Sequence, residues 1–137
     1  MSEIDLQSLV IKEFTRRDAH VSNIESGLTC AGFPDLDVCR ESKINQLEIK
    51  HFKKTRPPHR DMPDMRDTQV KWFRDRIKAG GNPMILTQGR EGLYMLHHGR
   101  YAHHFVSMKG TNELTDLPCT IWQGEIDFDE LLEELLA

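Results

Sequence analysis

From Ile4 to Arg17 the chain places Leu6, Leu9, Val10 and Phe14 at i, i+3, i+4 and i+8. That spacing makes one apolar stripe and predicts an amphipathic helix. Glu13 follows Leu9 by four and Val10 by three, so it falls on or beside the stripe. A carboxylate there is costly unless it meets a partner or an ion, and Arg16 and Arg17 are within helical reach. Ala19 to Glu25 alternates weakly through Val21 and Ile24 and reads as a short strand or an extended lead-in. Ser26 to Phe33 is a loop punctuated by Gly27 and Gly32. Pro34 fixes φ at a strand entrance, where its missing N–H does least harm. Two short apolar runs follow, Leu36 to Val38 and Ile44 to Ile49, split by the polar Arg40-Glu41-Ser42-Lys43. This is the pattern of a β-hairpin.

His51 to Met65 carries three prolines and several basic residues, and that composition predicts a mobile loop. A second helix is predicted from about Asp64 to Ala79, with Val70, Phe73 and Ile77 as its stripe and Trp72 to one side. Asp64 or Asp67 can cap its start, and Gly80-Gly81 ends it. Pro83 to Thr87 reads as a strand entered from that helix. Strand, helix, strand in this order predicts a crossover and a parallel pair. Gly92 to His97 and Tyr101 to Ser107 flank His98-Gly99-Arg100 and suggest a second hairpin, with Leu117 to Gln123 as an edge strand. Asp127 to Leu136 is a short acidic helix with Phe128, Leu131, Leu132, Leu135 and Leu136 on one side. No internal repeat or low-complexity segment interrupts the chain.

These elements predict an α/β fold, a small central mixed sheet flanked by helices. The 137 residues suit one domain, with its core over about 4–90 and a C-terminal hairpin and acidic helix over 91–137. Hydrophobic content of 38% with 29% charged residues is that of an ordinary globular protein. No run approaches the ~18 apolar residues of a membrane span. The opening Met-Ser-Glu-Ile-Asp lacks the basic-then-apolar order of a signal peptide. Cys30, Cys39 and Cys119 are odd in number and form no CxxC pair, which points away from a disulfide framework or zinc ribbon. A cytoplasmic setting is therefore expected.

Charge changes the picture more than composition does. The net charge of −4 conceals ten Lys/Arg against four acids between Lys50 and Lys78, and eight acids with no Lys or Arg from Thr111 to Ala137. A basic middle and an acidic tail are worth separate readings.

Chemistry concentrates in the first hairpin. Side chains alternate along a strand, so Glu48 and Lys50 share one face while Leu47 and Ile49 take the other. Hairpin pairing brings Asp35 beside Glu48, so that two carboxylates and a lysine converge. Hard Mg²⁺ or Mn²⁺ prefers carboxylate and carbonyl oxygens, which Asp35, Glu48 and the backbone carbonyl of Ile49 could supply. Lys50 can orient or deprotonate an attacking water and offset charge on a phosphate.

The series Pro34-Asp35, twelve intervening residues, then Glu48-Ile49-Lys50 resembles the motif of the PD-(D/E)xK nuclease superfamily. Within it, Gly32-x-Pro34-Asp35-Leu36, the helix bearing Glu13, and Gln69 resemble the VRR-NUC and Holliday junction resolvase branches. The resemblance covers about Leu6 to Gln88. It implies a restriction-endonuclease-like core and a metal-dependent DNA nuclease acting on junction or flap DNA. It implies Asp35, Glu48, Lys50, Glu13 and Gln69 as catalytic residues, with Asp35, Glu48, the Ile49 carbonyl and a candidate Glu13 on Mg²⁺ or Mn²⁺. Cutting a junction needs two sites, so a homodimer follows. Small members of this kind are frequent in phages, which would put the protein in the host cytoplasm.

The stretch just past this motif holds Lys53, Lys54, Arg56, Arg60 and Arg66, which could contact phosphates independently of sequence. A solvated loop is the plainer reading of such a run, and adjacency to the carboxylates favours nucleic acid. A second Pro-Asp, Pro63-Asp64, has no ExK after it. His97-His98 and His103-His104 bracket a turn, but neighbours on a strand face opposite ways, so at most two of the four would converge. Trp72 and Trp122 read as core or interface residues. The acidic helix could close the core, join a dimer or mimic nucleic-acid charge; the first two are the plainer choices. Two other functions remain open: a non-catalytic nucleic-acid-binding module of the same fold, and an interaction protein acting through its acidic helix.

Overall fold

Glu41 and Ser42 both adopt left-handed φ values, 52° and 67°, and turn the first hairpin in two residues, as the right-handed twist of paired strands favours. The computed structural model describes residues 3–24, 31–51, 65–107 and 114–137. In chain order these form α1 (Glu3–Arg16), β1 (His20–Asn23), β2 (Leu36–Arg40), β3 (Lys43–His51), α2 (Asp67–Lys78), β4 (Met84–Gln88) and β5 (Leu93–His98). A 3₁₀ turn (Gly99–Tyr101), α3 (Ala102–Ser107), β6 (Cys119–Gln123) and α4 (Phe128–Leu135) follow.

The six strands lie side by side in chain order. Every pairing is antiparallel except β3 with β4, whose parallel connection passes through α2. The sheet is therefore mixed, with helices on both faces, and the fold is α/β. Because β3 is central, all of Asn45–Lys50 is buried. Leu47 and Ile49 face one layer, packed with Leu6, Val10 and Phe14 of α1 and with Leu131, Leu132 and Leu135 of α4. Across the sheet, Ile85 and Met95 pack with Phe73 of α2 and with Ala102 and Phe105 of α3. The acidic helix thus closes the core through its leucines. Its Asp127 side chain caps it by accepting from the Glu130 N–H at 3.1 Å.

The expected second hairpin differs. Tyr101 to Ser107 is not a strand; it is the end of the 3₁₀ turn and α3, and β5 pairs instead with β6 from Leu93↔Gln123 to His97↔Cys119. Gly99 decides this. Its N–H donates to the Pro83 carbonyl at 2.7 Å, and a Cβ there would lie 2.4 Å from the Phe73 ring. The chain is drawn in against α2 rather than back along β5. Ala102 and Phe105 then bury at i, i+3, a helical spacing. Among the described residues no helix is long and apolar enough to cross a membrane.

Candidate active site

The backbone at Gly32 sits against the first turn of α2 with φ +83°, where a Cβ would lie 2.2 Å from the Thr68 carbonyl oxygen. Only glycine allows that approach, and it seats Pro34-Asp35 beside α2. The two carboxylates then lock each other's strands. Asp35 Oδ2 accepts from the Ile49 N–H at 2.8 Å, and Glu48 Oε1 accepts from the Asp35 N–H at 3.0 Å. Both side chains lie on the α2 face of the sheet, as the register Leu36↔Leu47 requires.

Gln69 completes the cluster. Its Nε2 donates to Glu48 Oε2 at 2.5 Å. Its Oε1 accepts from Lys50 Nζ at 3.2 Å and from the Arg66 N–H at 2.9 Å. Two donors on that oxygen leave only one workable orientation of the amide. Gln69 is therefore both the cap of α2 and the bridge to β3. The expected aspartate caps differ from this: Arg66 is the N-cap and Asp67 is the first helical residue, while Asp64 lies outside the described residues. Lys50 Nζ also lies 3.0 Å from Glu48 Oε2. Glu48, Lys50 and Gln69 are 2%, 4% and 4% exposed, so Asp35, half-buried, is the cluster's open side.

Burial pushes the Glu48 carboxyl up to about 8, and the Asp35 charge adds to this; Lys50 opposes it, while a hydrogen bond with Asp35 reinforces it. The ion pair and the desolvation pull in opposite directions, and desolvation wins. Burial and the Asp35 charge thus favour a proton on Glu48 at neutral pH. A divalent cation would take the place of that proton, and the donor set of two carboxylates and the Ile49 carbonyl suits a hard ion. Among the described residues no group of three His, Cys, Asp or Glu side chains could hold a metal. Water or phosphate oxygens would have to complete the shell, as Mg²⁺ prefers.

Asp35, Glu48, Lys50 and Gln69 are brought together. Glu13 is not. It sits on α1, the helix on the opposite face of the sheet, and its carboxylate holds Arg16 at 3.0 Å and Arg17 at 3.3 Å. Arg17 in turn reaches Asp129 of α4 at 2.7 Å. The end of α1 nearest Asp35 is the other one: Gln7 donates to Asn23, and the Ile24 N–H donates to the Asp35 carbonyl. Glu13 lies about 9 Å farther along the helix than Gln7 at the usual ~1.5 Å rise per residue. Arg66 is exposed at the start of α2. Lys53, Lys54, Arg56 and Arg60 lie outside the described residues.

The histidines scatter. His97 is fully buried, with Nε2 donating to the Leu114 carbonyl at 2.8 Å and its ring edge-on to Phe105. His98 meets Asn82, and the His103 and His104 rings lie 4.0 Å apart, tilted by 42°, on α3. Trp72 packs against Phe33 and Phe73, and Trp122 is buried. Thr87, in sequence only the end of a strand, pairs in parallel register with Lys50 and is fully buried, and among the described residues its Oγ1 has no hydrogen-bond partner. Its signal was a hydroxyl inside an otherwise apolar strand.

No protein-family model matches the sequence, nor does any curated protein. Among solved structures the chain is similar to Archaeoglobus fulgidus Hjc, a Holliday junction resolvase from an archaeal hyperthermophile. The identity is 13% and the TM-score 0.45, over 70% of this chain and 72% of that one. It is also similar to the bacterial homing endonuclease I-Ssp6803I, at 15% identity and a TM-score of 0.43, over 88% of this chain and 71% of that one.

Proposed function

We propose that the protein is a metal-dependent nuclease that hydrolyses phosphodiester bonds in DNA. The observation that carries this reading is one hydrogen-bonded cluster holding Asp35, Glu48 and Lys50 on a shared sheet face, with Asp35 at its open side. A scaffold alone gains little by setting a half-buried carboxylate against a fully buried one, since burial costs desolvation and the two repel. A cation site gains from the same arrangement. Asp35, Glu48 and the Ile49 carbonyl would hold Mg²⁺ or Mn²⁺, which when bound polarises a phosphoryl oxygen and makes hydroxide available near neutral pH.

The chain's own residues do the rest. Glu48 gives up its proton when the site loads, so loading is coupled to pH. Gln69 keeps the Glu48 carboxylate and the Lys50 amine at fixed separations, which orients both before substrate arrives. Lys50 is placed to donate hydrogen bonds to the phosphate or to the attacking water, offsetting charge as one P–O bond forms and another breaks. The motif resemblance supports a finer reading: branched DNA, junction or flap, is the substrate, and a homodimer supplies the second site.

Calorimetric titration of Mn²⁺ into wild type and Asp35→Ala, together with cleavage of plasmid and junction DNA, tests the proposal. Wild type should give heat and cut, and Asp35→Ala should do neither. Equal heats from both proteins with no cleavage by either would overturn it.

A further inference from the structure

The sheet turns the chain's lopsided charge into two opposed surfaces. On one side α4 carries Asp129, Glu130, Glu133 and Glu134 with no basic residue. On the other, α2 carries Lys71, Arg74, Arg76 and Lys78 against Asp67 and Asp75. Next to α2, Arg100 and His103 extend the basic side, and with Arg74 they line a groove of about 330 Å³ whose apolar wall includes Val70, Ile77 and Ala102.

The basic side chains here are not equivalent. Lys71 is held by Asp75 at 2.8 Å, and Arg76 lies over the Trp72 ring at 4.7 Å. Arg74 reaches Asp75 only at 4.0 Å and is 69% exposed. Arg100 lies over the Tyr101 ring at 4.9 Å and donates to its hydroxyl at 3.0 Å, both neutral contacts, and among the described residues no carboxylate pairs with it. Two exposed guanidinium groups across one groove suit phosphate oxygens, which their planar forks bind in pairs. The stretch of α2 from Val70 to Ile77 is about 10 Å long, roughly the axial rise of three phosphates on one strand. Val70, which lines the groove, follows Gln69 in the chain, and the Gln69 side chain enters the candidate active site.

We propose that the groove between α2 and the 99–103 turn binds the phosphodiester backbone of the nucleic acid on which the active site works, with Arg74 and Arg100 as its phosphate contacts. This rests on the nuclease reading for the identity of the ligand. The acidic α4 surface, on the far side of the sheet, repels the same strand and fixes which side of the protein it meets.

The test is fluorescence anisotropy with a labelled DNA duplex, without divalent metal, over a series of salt concentrations. Arg74→Glu and Arg100→Glu should each lower the salt slope by about 0.9. The double variant should bind at least tenfold more weakly at low salt. Lys12→Glu, an exposed change on α1 across the sheet, should leave the slope unaltered, and circular dichroism should show all variants folded. An unchanged slope in both arginine variants would overturn the proposal. So would an equal loss from Lys12→Glu, or a wild type that binds a poly-glutamate peptide and no DNA. Cleavage is scored separately. Binding lost as expected from a wild type that cuts nothing removes the nuclease reading and keeps the groove. Cleavage with an unchanged slope does the reverse.

Discussion

Glu48→Gln should change how stability depends on pH, and the sign follows from which state holds the proton. In the folded protein the Glu48 carboxyl titrates near 8 rather than at the ordinary 4.5. Between those values the native state binds a proton that the unfolded chain has lost, so stability falls as pH rises through this window. The full distance from 4.5 to about 8, at about 1.4 kcal/mol per pH unit, amounts to about 5 kcal/mol. Urea unfolding of wild type and Glu48→Gln, measured from pH 5 to 9 without divalent metal, isolates this effect as a difference between the two proteins. The difference should slope by up to about 1.4 kcal/mol per pH unit across the window and level off above pH 8. His97, which burial holds below its ordinary value, destabilises the fold as pH falls below about 6.5. It does so in both proteins and cancels. Glutamine cannot satisfy every donor now facing Glu48, so the variant carries a fixed loss as well, but that loss has no slope. Parallel curves would refute the claim that the buried carboxyl holds a proton at neutral pH.

Three further outcomes follow from the same geometry. Mn²⁺ affinity by calorimetry should rise towards tenfold per pH unit below pH 8, because loading displaces the Glu48 proton; a flat profile from pH 6 to 8 would contradict this. Gly32→Ala should cost about 2–4 kcal/mol in urea unfolding, since the new Cβ meets the Thr68 carbonyl and the backbone is left-handed. Thr87→Val should raise the unfolding midpoint, by about 1 kcal/mol in stability, because it removes a buried hydroxyl that has no partner among the described residues. A less stable Thr87→Val would mean that the hydroxyl is hydrogen-bonded in solution.

Much of this arrangement was legible in the sequence because it depends on short-range periodicity. The two-residue side-chain period placed Glu48 and Lys50 together. The strand–helix–strand order predicted the parallel pairing of β3 and β4, and Gln69, four residues before Phe73, falls by helical period near the buried side of α2. What was not legible depends on approach distances between elements. Glu13 lies beside its helix stripe as expected, but the pattern does not say which end of α1 reaches Asp35, and it is the Gln7 end. Tyr101 to Ser107 reads as a return strand because it follows the turn-like His98-Gly99-Arg100, yet Gly99 is pressed against Phe73 and the chain turns into a helix. Gln69 as the cap of α2 was hidden because the N-cap, Arg66, is not a residue that caps by itself.

Cleavage by Lys50→Ala tests the central claim most directly. Wild type with Mg²⁺ or Mn²⁺ should cut at least one of a panel of linear, nicked, flap, junction and single-stranded DNAs. Lys50→Ala should lose that cutting by at least a hundredfold while still binding Mn²⁺ and DNA at fixed salt. A folded Lys50→Ala protein that cuts as fast as wild type would contradict the account.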